Sequence, residues 1–374
     1  MRSYTIGRVW DIPIRVNISL LVFLPILAYL IGSGEQIAVY ADVIETLAPV
    51  TLDPADLAGQ RWLVGALAGL GLFVSVAIHE LGHSWTAMRY GIRTESITLW
   101  ILGGLASLSE MPKEWNREFW IAIAGPITSL LVAGVCLLGV TAVPASAPVL
   151  VFVVGWLAVT NVVLAVFNLV PAFPMDGGRI LRAALASRLS YTSATRVAAR
   201  IGTIFAVLFA VVGVLAFSPI LLLLAFFIYG AATSESKMVI LADLLDDLTV
   251  ADLVVETDPV DADATLGDLF PRMLAARRTD LPVVDASGTV VGAATARAMQ
   301  RVDTADYETT RVDSLLTTDI PRLDAETGAF DALIALSQAG SDVALVERDG
   351  RVVGIVSQSD FTAALDLRRG KQPF

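Results

Sequence analysis

The sequence has 374 residues, of which 55% are hydrophobic and only 17% are charged, and its formal net charge is −11. This composition is typical of a membrane protein and excludes a wholly soluble enzyme. The acidic balance argues against a nucleic acid as partner. The single cysteine, Cys136, excludes a disulfide within the chain and a metal site built from cysteines.

Apolar runs in the first two thirds of the chain predict about six membrane-spanning helices. The predicted spans are residues 16–31, 62–90, 119–143, 149–170, 201–217 and 219–232. The N-terminal segment and the connections after the second and fourth spans are rich in arginine, whereas residues 32–61 form a polar, acidic loop. The positive-inside rule therefore predicts a multi-pass protein of the cell membrane with both termini in the cytoplasm.

The segment between the second and third spans, residues 96–108, reads SITLWILGGLASL. It is too short to cross a bilayer as a helix and is rich in β-branched residues. We expect a strand or hairpin at the membrane face, with Gly103 and Gly104 marking a bend or a close backbone approach. A re-entrant piece of helix is the alternative.

From residue 240 onward the chain becomes polar, with 24 acidic and 12 basic residues, and it repeats itself. The stretch VADLVVETDPV resembles VDSLLTTDIPR, which lies 62 residues later. Each copy predicts the order strand, helix, strand, hairpin, strand, helix, with Gly288 or Gly350 in the hairpin turn. Two such copies would bury their faces against each other. The expected domains are residues 1–240, 246–302 and 313–370.

The end of the second predicted span carries an H-E-x-x-H pattern formed by His79, Glu80 and His83. These are the only two histidines of the chain, and one helical turn places both on the same face. Two imidazoles so placed can share a zinc ion, and Glu80 can take a proton from water beside it. Hydrogen-bonded polar residues at a helix end are the structural alternative. Ionisable groups at the edge of a bilayer are costly, however, and are usually functional.

A catalytic zinc ion takes three protein ligands and leaves one position open. With no further histidine or usable cysteine, the third ligand must be a carboxylate, and Asp176 in PAFPMDGGRILRAAL is the best candidate. The alternative is that Asp176 only caps the following helix, which we expect to be amphipathic over residues 179–200. Asn168, near the end of the fourth span, either donates to a developing oxyanion or links two helices. Asn161, two turns deeper, favours the linking role.

Three motifs in this order resemble the site-2 protease family of intramembrane zinc metalloproteases, the M50 type of peptidase. They are H-E-L-G-H, the Gly125-Pro126 pair in the next span, and N-x-x-P-x-x-P-M-D-G-G-R after the fourth span. The resemblance covers about residues 1–240. It implies a six-helix membrane core that binds one zinc ion and cleaves transmembrane substrates within the bilayer. It also implies that His79, His83 and Asp176 bind zinc, that Glu80 is the general base and acid, that Asn168 assists at the oxyanion, and that Gly103-Gly104 pairs with an unwound substrate.

The repeated tail resembles a pair of CBS domains, which often bind adenosine nucleotides. Ser357 and Asp360 of the second copy match the Ser/Thr-x-x-Asp pattern that contacts a ribose in that family. The first copy has Thr295 but Ala298 in place of the carboxylate, so only one nucleotide site is expected. A purely structural pair, or one that forms a homodimer, is the alternative.

The sequence as a whole therefore predicts an intramembrane zinc metalloprotease that acts near the cytoplasmic face and is regulated by its CBS pair. Two other classes remain, a CBS-gated metal transporter and a catalytically silent membrane scaffold. Transporters tend to contain internal repeats, and residues 1–240 show none.

Overall fold

The protein is described from a computed structural model that covers residues 3–101, 103–109, 112–254, 258–318 and 320–369. The chain divides into two compact units, Met1–Ser236 and Lys237–Phe374. The helices of the first unit, in chain order, are α1 (Ile18–Ile31), α2 (Gly34–Leu47), α3 (Pro54–Leu57), α4 (Arg61–Arg89), α5 (Trp115–Ala142), α6 (Pro148–Asn168), α7 (Asp176–Ala186), α8 (Tyr191–Leu215) and α9 (Pro219–Leu245), the last of which ends in the second unit.

Five helices of the described chain are long and apolar enough to cross a membrane, and the bent pair α1–α2 makes a sixth if it counts as one span. The chain is therefore a multi-pass membrane protein, as predicted. The first predicted span needs a correction, because α1 has only 14 residues and turns by 70° into α2. At 1.5 Å per residue α1 is about 21 Å long, which is short of the bilayer core of about 30 Å.

Two connections differ from the sequence prediction. The acidic loop contains α2, whose N-terminus is capped by the Ser33 hydroxyl and whose buried face carries Ile37, Ala41 and Ile44. The predicted amphipathic helix over residues 179–200 is divided, because α7 ends at Ala186 and Ser190 caps a new helix. The fifth span consequently begins at Tyr191 rather than at residue 201.

The described residues of the first unit also form a four-stranded sheet. Its strands are β1 (Ser3–Val9), β2 (Ile12–Asn17), β3 (Thr94–Trp100) and β4 (Gly103–Leu108), in the order β1-β2-β3-β4. The predicted hairpin is therefore present as β3–β4, and the N-terminal residues add a second hairpin, which the sequence did not predict. Buried Ile97 and Leu99 of β3 pack with Phe73 and Val76 of α4. This contact fixes the sheet beside the helix that carries the histidines, with β4 at one edge.

The second unit contains two three-stranded sheets of matching design. The strands are β5 (Val260–Asp261), β6 (Asp280–Val284), β7 (Val290–Thr295), β8 (Arg322–Asp324), β9 (Val343–Arg348) and β10 (Arg351–Ser357). The helices are α10 (Val250–Leu253), α11 (Leu266–Ala276), α12 (Ala296–Met299), α13 (Ala329–Ala339) and α14 (Gln358–Arg369). In each sheet the first strand pairs in parallel with the second, and the second and third strands form an antiparallel hairpin. Gly288 or Gly350 has a positive φ in the hairpin turn. The predicted repeat of α/β elements is confirmed.

Candidate metal centre

Three potential metal ligands from two helices meet at one point. His79 and His83 lie one turn apart near the end of α4, and Asp176 is the first residue of α7. All three side chains are buried. The two Nε2 atoms are 3.2 Å apart, and Asp176 Oδ2 lies 3.2 Å from His79 Nε2 and 3.3 Å from His83 Nε2. The three donor atoms form a nearly equilateral triangle.

This triangle has the dimensions of one face of a tetrahedral zinc site. Ligand bonds of about 2.0–2.1 Å in a tetrahedron place neighbouring donor atoms about 3.3 Å apart. The observed separations of 3.2 and 3.3 Å match that value without any movement of the side chains. Two imidazole nitrogens and one carboxylate oxygen are also a known ligand set of hydrolytic zinc. The residues present therefore fit a zinc ion with its fourth position open.

The outer nitrogens of both imidazole rings are held by α5. His83 Nδ1 donates to the Ile121 carbonyl at 2.7 Å, which leaves the Nε2 lone pair free for a metal. His79 Nδ1 lies 2.9 Å from the Ser129 hydroxyl, which can accept its proton in the same way. The sequence analysis missed Ser129. The available signal was the polar pair Thr128-Ser129, one turn after Gly125 in a largely apolar span.

Replacing Ser129 by alanine should weaken zinc binding by about 10- to 100-fold, which is typical of losing a partner of a metal-bound histidine. The reason is that His79 would lose the group that sets its ring orientation and tautomer. Zinc affinity measured by competition with a chromophoric chelator checks this. Ser84→Ala on α4 is the matched control, because Ser84 is also buried but its hydroxyl has no hydrogen-bond partner in the described residues. Equal affinities of the two variants would contradict the role of Ser129.

Gly125 allows α5 to pass directly against the histidine pair. A Cβ atom at this position would lie 2.6 Å from His79 Nε2 and would collide with the His83 ring. The sequence pointed to Gly125 only through the family motif. The structure supplies a physical reason for glycine there, since no side chain fits beside the two donor atoms.

The segment that carries Asp176 is folded tightly on itself. A Cβ atom at Gly177 would collide with the carbonyls of Leu169 and Val170, and one at Gly178 would lie 2.7 Å from the Ala172 backbone. The two glycines thus leave room for the backbone that precedes them. Met175 occupies the N-cap position of α7, so the alternative of Asp176 as a helix cap is not observed.

Glu80 points from α4 toward the edge strand β4. A Cβ atom at Gly104 would lie 2.8 Å from Glu80 Oε1, so the half-buried carboxylate rests against the Gly104 backbone. Gly103 has φ +133°, with open space where a side chain would begin. The structure therefore brings Gly104 of β4 next to Glu80 of the helix that carries the histidines.

The two asparagines of α6 make different hydrogen bonds. Asn168 is half-buried, and its amide donates to the Leu164 carbonyl of its own helix at 3.0 Å rather than to one of the described groups of the metal centre. Asn161 donates to the Ser75 hydroxyl of α4 at 2.9 Å. Asn161 therefore links α4 and α6, in the role that the sequence favoured for it.

In the second unit, Ser357 and Asp360 contact each other where β10 meets α14. The Ser357 hydroxyl donates to Asp360 Oδ2 at 2.9 Å, and the Ser357 backbone donates to the same oxygen at 2.8 Å. Arg278 forms two further bonds to the Asp360 carboxylate, at 2.6 and 3.0 Å. Asp360 is therefore held by residues of both repeats.

Comparison with known proteins places the chain in a family. A zinc metalloprotease of Methanocaldococcus jannaschii is 33% identical over 307 residues, which are 80% of this chain and 85% of that protein. The chain belongs to peptidase family M50. The model of that family matches residues 67–209 of this peptidase, and a CBS domain model matches residues 312–367.

Two further relatives of this M50 peptidase have a similar percentage of sequence identity to it. Rip3 of Mycobacterium tuberculosis is 32% identical over 327 residues, which cover 83% of each chain. The solved site-2 protease from Methanocaldococcus jannaschii is 34% identical, with 63% of this chain and 95% of that chain covered and a TM-score of 0.44. The protein is thus a zinc metalloprotease of the site-2 protease type with a CBS domain, which confirms the predicted family and enzyme class.

Proposed function

We propose that His79, His83 and Asp176 bind one zinc ion per chain, and that the peptidase hydrolyses peptide bonds of transmembrane protein substrates there. The observation that carries the proposal is the triangle of donor atoms with sides of 3.2–3.3 Å. Its dimensions match a zinc site and leave one coordination position open.

Glu80 is the proposed general base and acid. A zinc ion bound at the triangle would polarise the peptide carbonyl and acidify water. Glu80 takes the proton of the attacking water and returns it to the leaving amine. Asn168 assists by donating to the oxyanion with the second N–H of its amide, while the first stays on the Leu164 carbonyl.

The substrate is proposed to bind as an added strand along β4. A helical substrate hides its carbonyls in its own hydrogen bonds, so it must unwind before hydrolysis. An edge strand offers unpaired backbone groups to such an extended segment. Because Gly104 of this strand rests against Glu80, a segment paired there would lie beside the proposed base. Gly103 and Gly104 are the proposed binding positions.

The site is proposed to face the cytoplasm at the cell membrane. The N-terminal segment, residues 89–93 and residues 179–200 contain ten of the twelve arginines of residues 1–236, which favours the cytoplasmic side for all three. Both termini are cytoplasmic in this arrangement, provided that α1 and α2 together form one span. The active site then opens near the cytoplasmic leaflet.

Cleavage of a purified single-span substrate in liposomes tests the proposal. We expect cleavage within or at the edge of the hydrophobic segment, with complete loss on treatment with a chelator and recovery when zinc is returned. A protein that binds one zinc ion but cleaves no single-span substrate would support the alternative of a silent scaffold. Activity that survives removal of all metal would contradict the metal centre.

We further propose that residues 246–302 and 313–370 form a CBS pair that binds an adenosine nucleotide, forms homodimers and regulates cleavage. Ser357 and Asp360 support the nucleotide site, because they present a hydroxyl and a carboxylate 2.9 Å apart to the diol of a ribose. The ribose must compete with Arg278 for Asp360. Binding is therefore expected to be weaker than the motif alone suggests.

Replacing Asp360 by alanine should abolish binding of ATP or AMP to the full-length protein, because the ribose loses its acceptor. Isothermal titration calorimetry of both nucleotides checks this. Asp366→Ala is the control, since Asp366 is an exposed carboxylate on the same helix. Equal nucleotide affinity of the two variants, or no heat with the unaltered protein, would favour a purely structural pair.

A further inference from the structure

A buried cation lies on the same helix as the proposed metal ligand Asp176. Arg182 follows Asp176 by six residues on α7 and is 0% exposed. Its Nε donates to Glu118 Oε1 of α5 at 2.8 Å, and its Nη2 contacts the same oxygen. Its Nη1 donates to Glu235 Oε1 of α9 at 2.5 Å. One guanidinium therefore joins three helices.

The same guanidinium holds the chain on both sides of Asp176. The Arg182 carbon Cζ lies 5.0 Å from the centre of the Phe173 ring and 4.9 Å from that of Tyr191. Phe173 is buried and precedes Asp176 by three residues. Because Phe173 and Arg182 flank Asp176 in the chain and contact each other, a displacement of Arg182 would move the carboxylate relative to the histidines.

The two carboxylates differ in how firmly they hold Arg182. The Glu118 side chain is 3% exposed, and its second oxygen has no hydrogen-bond partner in the part of the chain that the structure describes. Releasing Arg182 would leave this buried carboxylate without its hydrogen-bonded ion-pair partner, so the pair with Glu118 is expected to persist. The Glu235 side chain is 32% exposed and can exchange Arg182 for water. Glu235 is thus the adjustable partner.

Glu235 lies on the helix by which the first unit continues into the second. Ser236 ends the first unit, and Lys237 begins the second within α9. Ten residues after Glu235, at the end of α9, Leu245 belongs with Leu244 to the hydrophobic core of the second unit. Glu235 and Leu245 are therefore parts of one continuous helix.

We propose that Arg182 is a positioning residue that holds Asp176 at the histidine pair, and that Glu235 transmits the state of the CBS unit to it. The inference rests on the proposed role of Asp176 as a metal ligand. It assigns regulation of the peptidase to one ion pair rather than to the substrate-binding strand.

Zinc affinity of full-length variants in detergent micelles, measured against a chromophoric chelator, tests the positioning role. Arg182→Lys should weaken zinc binding about tenfold, and Glu235→Gln about threefold, because each removes part of the support of Asp176. Cleavage assays should show a lower kcat at unchanged KM for both variants. Arg188 is an exposed arginine that follows α7, and Arg188→Lys should have the zinc affinity of the unaltered protein. Glu235→Asp keeps the negative charge, so its zinc affinity should be closer to that of the unaltered protein than the affinity of Glu235→Gln.

Asp176→Ala separates failure of this inference from failure of the proposed function. If Asp176→Ala leaves zinc affinity unchanged, the proposed ligand set is wrong. If Asp176→Ala weakens binding at least a hundredfold while Arg182→Lys and Glu235→Gln do not, the positioning role is wrong. Should Arg182→Lys fail to fold, Glu235→Gln decides alone, since it alters a partly exposed side chain and removes only a charge.

A double-mutant cycle tests transmission from the second unit. Leu245→Ala should change zinc affinity at least about threefold when Glu235 is present and leave it unchanged in the Glu235→Gln background. Val250→Ala removes a buried side chain from the same core but lies on α10, so its effect should be independent of Glu235. Equal effects of Leu245→Ala in both backgrounds would overturn the transmitting role of Glu235.

Discussion

Replacing Glu80 by glutamine should abolish peptide cleavage while the protein keeps its full zinc content. Glutamine has nearly the same size as glutamate but cannot accept the proton of the attacking water. Loss of a general base costs about 10²–10⁴-fold in rate, and here the same group also protonates the leaving amine, so we expect the upper end of that range. The measurement is single-turnover cleavage of a liposome-embedded substrate, together with metal analysis of the same sample.

Glu95→Gln is the matched control for this experiment. Glu95 is an exposed glutamate of β3, and its replacement removes one negative charge from the neighbouring sheet without changing a residue of α4. Its cleavage rate should equal that of the unaltered protein. If Glu80→Gln retains full activity, Glu80 is not the base. If Glu80→Gln loses zinc as well as activity, Glu80 acts on the metal and not on the proton.

Replacing Gly125 by alanine should remove the bound metal and with it all cleavage. The added methyl group would lie 2.6 Å from His79 Nε2 and would collide with the His83 ring, so both donors must leave their positions. In an ordinary helix interior this substitution is favourable by about 1 kcal/mol. That gain cannot offset the loss of a metal site, whose binding free energy is about 10–16 kcal/mol for structural zinc. Metal analysis after purification should show less than about a tenth of a zinc ion per chain.

Gly134→Ala on the same helix is the control. Open space surrounds the position of its added methyl group, so zinc content and cleavage should be unchanged. The comparison separates the effect of crowding at the histidines from any general effect of alanine in α5. A Gly125→Ala protein that binds zinc with normal affinity would show that the two rings can turn away from α5 and still coordinate, and the described geometry would then not be required.

Three sequence motifs carry the resemblance to the site-2 protease family, and the composition by itself predicted the membrane setting. The His79–His83 spacing follows from the helical period, so the pairing of the two rings required no tertiary information. Asp176 could be named because the chain has no other histidine and no usable cysteine. The Gly288 and Gly350 turns followed from the repeat, because the same residue pattern forms the same hairpin twice.

Other features depended on contacts between residues far apart in the chain. Ser129, Gly125 and the Ile121 carbonyl act on the histidines from α5, about forty to fifty residues away, and a polar residue in an apolar span carries no mark of its partner. The N-terminal hairpin was missed because its pairing with β3 joins residues separated by about eighty positions. The break between α7 and α8 was missed because alanine- and arginine-rich segments lie on both sides of it, although Ser190 opens the polar stretch SYTS.

The sequence alone predicted the chemistry of this peptidase, since the proposed ligands, the proposed base and the membrane setting follow from residue identity and local period. Only the tertiary structure decided how that chemistry is held in place. It set the triangle at 3.2–3.3 Å, placed the Glu80 carboxylate against Gly104 of β4, and joined α7 through Arg182 to the helix that enters the second unit. The physical reason is that a donor can be recognised by its own atoms, whereas its orientation is fixed by side chains and backbone that packing brings from other helices.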